Sequence, residues 1–311
     1  MEKKHKNYLT FRIFSAFKVV SLIYLTWALA SYAAFFSGNL FSGSTLSVTI
    51  IDSLITVGFI FFASFITLNF IHYVESQICG STPVRLVLLG TTGFIFFACY
   101  LIVVVSGYKS NIVYSISTAN LIVFACLTGN WITIPVKRAA EIIPLCVVVA
   151  LCDMFSVFAG PTKHMVEGII KYYEGGMAGT PPFVDFLLVK IPLSESDAFV
   201  PLFGVSDWII IVFLIAAAKK FNMNDNTIGR GIGTVKKSPR VLFFPIASAG
   251  LCFAIVVARV GNLFIPALPF VVVLYLCFML IKYPEMRKLT KAELVPMAAF
   301  SVVIISLMVL I

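Results

Sequence analysis

Uninterrupted apolar stretches constrain this chain more than any other feature. Nine of them, at about 13–36, 46–71, 84–107, 111–129, 142–160, 199–218, 241–258, 262–281 and 293–311, are each close to twenty residues long. Crossing roughly 30 Å of hydrocarbon at about 1.5 Å per residue takes about that many. Hydrophobic residues make up 60% of the chain and charged residues 12%, with a mean hydropathy of +1.02. The expected fold is an all-α membrane protein, a polytopic bundle of about nine transmembrane helices. The first run follows a basic leader (Lys3, Lys4, Lys6, Arg12) and is too long for a signal-peptide core, so it reads as a retained anchor. Residues 1–135 are expected to hold about four N-terminal helices and 136–311 the remainder, within a single membrane domain.

The placement of basic residues sets the orientation, because short cytoplasmic loops keep Lys and Arg. With the N-terminus inside, residues 3–18, Arg85, Lys137 and Arg138, the loop 219–240 and residues 282–291 hold eighteen of the 23 basic residues on the cytoplasmic side. The net charge of +9 is therefore an imprint of topology, not of nucleic-acid binding, and loop 219–240 reads as a basic anchor beside anionic lipid. The seven cysteines are scattered singly through apolar segments and read as small core hydrophobes. His5, His72 and His164 lie too far apart to suggest a zinc site, and there is no HExxH and no phosphate-cradling glycine loop. The residues imply no metal and no cofactor.

Against that background two acids stand out: Asp153 in the fifth run and Asp207 in the sixth. A carboxylate at bilayer depth costs several kcal/mol unless it is neutralised, partnered or hydrated, so two of them point to function. Counting along helices from the outer ends puts both about 10–12 Å below the outer surface. At one level they can face each other. Two carboxyls close together in a low dielectric share one proton, so that one acts as acid and the other as base toward a water. Asp52, in the second run, has no comparable context and reads as a structural or interfacial polar residue.

The surroundings of the two acids sharpen this reading. Asp153 stands in Cys152-Asp153-Met154-Phe155-Ser156-Val157, followed by Thr162-Lys163-His164-Met165; Asp207 stands in Gly204-Val205-Ser206-Asp207; further on comes Pro266-Ala267-Leu268-Pro269. In this order and spacing, over roughly 142–281, the blocks resemble the presenilin and signal peptide peptidase family of intramembrane aspartyl proteases, particularly its archaeal members. The resemblance implies a presenilin-like bundle, Asp153 and Asp207 as catalytic residues, and Gly204, Val205, Ser206, Pro266, Ala267, Leu268 and Pro269 as substrate-positioning residues beside Asp207. It implies helical transmembrane peptides as substrates and a prokaryotic cell membrane as the location. The orientation matches signal peptide peptidase, which favours type II anchors or signal-peptide remnants.

Three departures from the family pattern stand in the chain: Cys152 where Tyr is usual, Ser206 where a second glycine is usual, and a crossing, 293–311, after the proline block. Pro266 and Pro269 also suit an ordinary helix start. The outer loop 161–198, with Gly175, Gly176, Gly179, Pro181 and Pro182, reads as a mobile connection. Its run Phe183–Pro192 reads either as a strand able to hold an unwound substrate or as a loop half-embedded at the interface. Two other functions fit the acids: a proton- or cation-coupled transporter or channel, and an inactive presenilin-like protein that binds helices.

Overall fold

A computed structural model describes residues 2–40, 45–73, 82–107, 110–158, 160–192, 199–229, 242–261 and 265–310. The apolar runs become helices α1 (Glu2–Leu40), α2 (Thr45–Tyr73), α3 (Thr82–Ser106), α4 (Asn111–Ile132) and α5 (Ile142–Phe158). Then come α6 (Pro161–Glu174), strands β1 (Leu188–Pro192) and β2 (Phe199–Gly204), and helices α7 (Val205–Lys220), α8 (Ile246–Gly261), α9 (Leu268–Lys282) and α10 (Lys291–Leu310). Six helices among the described residues are long and apolar enough to cross a membrane: α1 to α5 and α10. Their outward faces carry large apolar side chains such as Phe94, 74% exposed, and Val302, 63% exposed. Faces of this kind suit hydrocarbon as the surrounding medium.

The three remaining expected crossings are shorter. α7, α8 and α9 have 16, 16 and 15 residues, below the roughly twenty that a span requires. The run 199–218 is not one helix, because its first six residues form β2, antiparallel to β1 with Leu188 opposite Gly204 and Pro192 opposite Phe199. Helical rise from Phe199 therefore does not measure the depth of Asp207. The expected mobile connection is also corrected. Residues 161–174 form α6, which Pro161 opens as its first residue and two glycines close, the Gly175 N–H donating to the Lys171 carbonyl at 3.0 Å and the Gly176 N–H to the Tyr173 carbonyl at 3.1 Å. Ile169 and Tyr172 are buried on one side of α6, while His164 and Lys171 are exposed.

The chain divides into two compact units, one of residues 1–128 and 179–209, the other of 129–178 and 210–311. In the first, Trp27 of α1 is fully buried between Phe59 and Phe62 of α2, with ring centroids 5.4 and 5.9 Å away. The Tyr24 hydroxyl donates to Asn120 Oδ1 at 2.6 Å, and Asn120 Nδ2 donates to the Thr92 carbonyl at 3.0 Å, tying α1, α4 and α3 together. Such interhelical bonds matter where hydrocarbon supplies no competing partner. The hairpin is pinned to α4 by Lys190. Its backbone N–H donates to Thr118 Oγ1 and its carbonyl accepts from the same hydroxyl, both at 3.3 Å. The buried Lys190 ammonium pairs with buried Asp185 and lies 4.6 Å from the centroid of the Tyr114 ring. Burial lowers the Lys190 pKa, and Asp185 opposes that shift.

In the second unit α8 packs on α9, α9 on α5, and α5 on α10. The α8–α9 crossing is close because Gly250 has no side chain: a Cβ there would lie 2.7 Å from Val271 Cα and 3.2 Å from the Phe270 carbonyl oxygen. α7 ends at Lys220, and beyond it Asn222, with a φ of 53°, turns the chain so that the Met223 N–H reaches the Ala218 carbonyl at 2.8 Å. Part of the expected basic loop then folds back. The side chain of buried Asn226 bonds the Leu242 carbonyl and the Phe244 N–H, and Asn226 bridges Pro245. Residues 230–241, with the rest of that loop's basic residues, lie outside the described residues.

Because the added methyl meets backbone and not a movable side chain, Gly250→Ala is expected to destabilise the protein by about 1–3 kcal/mol. Chemical unfolding of the purified variant beside wild type measures it.

Candidate functional site

Asp153 sits on α5, half-buried, twelfth in a helix that runs from Ile142. Its Oδ2 accepts the backbone N–H of Leu268 at 3.0 Å. Leu268 is the first residue of α9, with Ala267 as N-cap and Pro269 in the first turn. A helix start leaves its first N–H groups without carbonyl partners, and its end of the dipole favours a negative neighbour. The Pro-Ala-Leu-Pro block therefore does start a helix, and the N–H that the start exposes is taken by an acid 115 residues earlier. Pro266 and Leu268 are buried there. The tight contact at Gly250 sets where the first turns of α9 lie, so the placement of that N–H depends on it.

Asp207 is the third residue of α7, and its Oδ2 accepts the Gly204 N–H at 3.0 Å. Gly204 ends β2 and stands as the residue before the helix, so this is one half of a capping box. The Gly-x-x-Asp spacing follows from that geometry. A Cβ at Gly204 would come within 3.2 Å of Ser206 Oγ, a tight contact, and 3.4 Å of Asp207 Oδ2, an ordinary one. Ser206 is exposed and Val205 is half-buried. Serine in place of the usual glycine thus fills no packed space in this unit.

Trp208, which sequence reasoning passed over, anchors the turn. It is fully buried, stacks on Phe203 of β2 with centroids 5.4 Å apart, and donates from Nε1 to Thr67 Oγ1 of α2 at 3.2 Å. The only prior signal was an indole directly after the acid. Asp153 and Asp207 belong to different units. The proline block, expected beside Asp207, gives its hydrogen bond to Asp153.

Other expectations resolve more simply. Asp52 is buried in α2. Of the cysteines, Cys99, Cys126 and Cys146 are buried as core residues, whereas Cys152 and Cys277 are exposed. Cys79 lies outside the described residues.

One acid outside the apolar runs was not singled out by sequence. Asp225, in the segment after α7, is 1% exposed, and neither of its carboxyl oxygens has a hydrogen-bond partner among the described residues. Burial pushes its pKa up to about 7, against the pull of Lys282. Comparison with family models, with curated proteins and with solved structures found no match.

Two predictions follow from these placements. Asp207→Asn keeps an acceptor for the Gly204 N–H, whereas Asp207→Ala removes it; the alanine variant should be about 1 kcal/mol less stable than the asparagine variant by chemical unfolding. The folded Asp225 holds its proton up to about pH 7, whereas an unfolded aspartate releases it near pH 4. Its contribution to stability is then greatest below about pH 4, falls as the pH rises toward 7 and is level above that. The stability of Asp225→Asn relative to wild type should accordingly climb across the same interval, as thermal unfolding at stepped pH would record.

Proposed function

We propose that this chain is an intramembrane aspartyl protease that hydrolyses peptide bonds of transmembrane helices, with Asp153 and Asp207 as its acid–base pair. The observation that carries the reading is that both acids picked out by sequence are held by a backbone N–H from a block of the same resemblance, Asp153 by Leu268 and Asp207 by Gly204. Each N–H lies where extended or irregular backbone gives way to helix. Irregular backbone of this kind survives at membrane depth only inside protein or beside a wet cavity. A transporter site would need acids but would have no use for the proline block as a donor.

In this reading one carboxylate removes a proton from a water while the other, as the acid, protonates the scissile carbonyl oxygen. The hydroxide adds to the carbonyl carbon to give a gem-diol. Return of the first proton to the amide nitrogen breaks the C–N bond and releases the amine, while one diol hydroxyl gives its proton back to the second carboxylate, leaving a carboxylic acid and both aspartates in their starting states. One water is consumed and one peptide bond is cleaved. The β1–β2 hairpin supports the same reading, since a two-stranded sheet has outer edges and β2 leads directly into the helix that carries Asp207. An unwound substrate segment pairing with such an edge would present its backbone extended. With the N-terminus cytoplasmic, the preferred substrates are helices with a cytoplasmic N-terminus, in a prokaryotic cell membrane.

Purified protein in liposomes with a type II transmembrane peptide tests this. Wild type should cleave it, and Asp153→Asn and Asp207→Asn should each lower the rate by at least about a thousandfold while leaving thermal stability within about 0.5 kcal/mol of wild type. Cleavage persisting in both variants would exclude the mechanism. Proton-coupled uptake without cleavage would favour a transporter, and helix binding without cleavage an inactive homologue.

A further inference from the structure

Where the apolar helices of the second unit end, a cavity of about 400 Å³ opens, lined by Lys137, Arg138, Lys288, Glu285, Phe221 and Tyr283 among others. It lies among the C-terminal ends of α7 and α9 and the segments leading into α5 and α10. Most basic groups at this end are already used. Lys220 donates to the Thr133 and Ile134 carbonyls, both at 2.9 Å, and Lys282 to the Asn224 carbonyl at 3.1 Å. Arg287 donates to the Leu280 carbonyl, at 2.8 Å from Nε and 2.6 Å from Nη2. Arg138 pairs with Glu141 and Glu293.

Two lining cations are left. Lys137 and Lys288 are exposed, and neither ammonium has an ion-pair partner among the described residues. Their backbones are nonetheless fixed, Lys137 N–H donating to Glu141 Oε2 at 2.8 Å and Lys288 N–H to the Glu285 carbonyl at 3.3 Å. Glu285 is the single acid on the lining, against three basic residues.

We infer that this cavity binds the phosphate of an anionic glycerophospholipid headgroup, held by Lys137 and Lys288. Two ammonium groups on fixed backbone, in a recess flanked by the aromatic rings of Phe221 and Tyr283, suit a phosphate at the level where apolar helices meet water. Ile281, two residues before Tyr283 and 78% exposed, supplies apolar surface for an acyl chain at the end of α9. A free phosphate offers the same chemistry without the chain. The inference needs the chain to lie in a membrane and is independent of proteolysis.

Native mass spectrometry of the full chain in neutral detergent, titrated separately with phosphatidylglycerol, phosphatidylcholine and inorganic phosphate, tests it. Wild type should retain phosphatidylglycerol in preference to phosphatidylcholine. The pair Lys137→Gln and Lys288→Gln should weaken that retention about tenfold, while Lys171→Gln, on α6, should leave it unchanged. Each single substitution should give part of the loss, so the test stands even if the double variant folds poorly. Inorganic phosphate that binds alone and displaces the lipid would support the phosphate site and assign its source to solution. Equal retention of both lipids, or phosphatidylglycerol binding unaffected by the substitutions, would overturn the proposal.

Discussion

A backbone N–H in an apolar surrounding must find an acceptor, and at two breaks in this chain's helical pattern an aspartate provides it. Where β2 turns into α7, Asp207 takes the Gly204 N–H; where α9 begins, Asp153 takes that of Leu268. Each bond has two consequences. It allows irregular backbone to exist among apolar helices, and it fixes one carboxyl oxygen while leaving the other oxygen's direction set by the same geometry. The neighbouring packing serves these two bonds: Trp208 against Phe203 and Thr67 holds the first turn of α7, and Gly250 admits the first turns of α9 close to α8.

Much of this was legible in the residues, and the failures have physical causes. The runs that became α1 to α5 and α10 are apolar on every side, so length alone identified them. Phe199–Gly204 is equally apolar and was read as the start of a span, because hydropathy does not distinguish a strand from a helix. The pairing with Leu188–Pro192 decided the matter, and only the strand reading of Phe183–Pro192 hinted at it. α6 escaped because its apolar residues form one stripe beside His164, Glu167 and Lys171, leaving no run to count. Glycine and proline on its flanks then looked like a loop.

The acids show the same division. The blocks around Asp153, Asp207 and the prolines were visible, but the partner of the proline block was not, since a contact across 115 residues leaves no local trace. Asp225 was hidden in a polar loop that folds back under Asn226, a tertiary event that composition cannot announce. Basic residues cluster at helix ends, as their spacing in the sequence suggests. Which of them bond backbone carbonyls emerged only from the hydrogen bonds of Lys220, Lys282 and Arg287.

The distance between Asp153 and Asp207 in liposomes tests the proposed acid–base pair. With the native cysteines replaced, Asp153→Cys and Asp207→Cys introduced together should be joined by a thiol cross-linker spanning about 6–8 Å, the reach of two carboxyls around one water. Efficient cross-linking in liposomes is expected. Cross-linking only by much longer reagents would contradict it, because carboxyls held that far apart cannot share a proton.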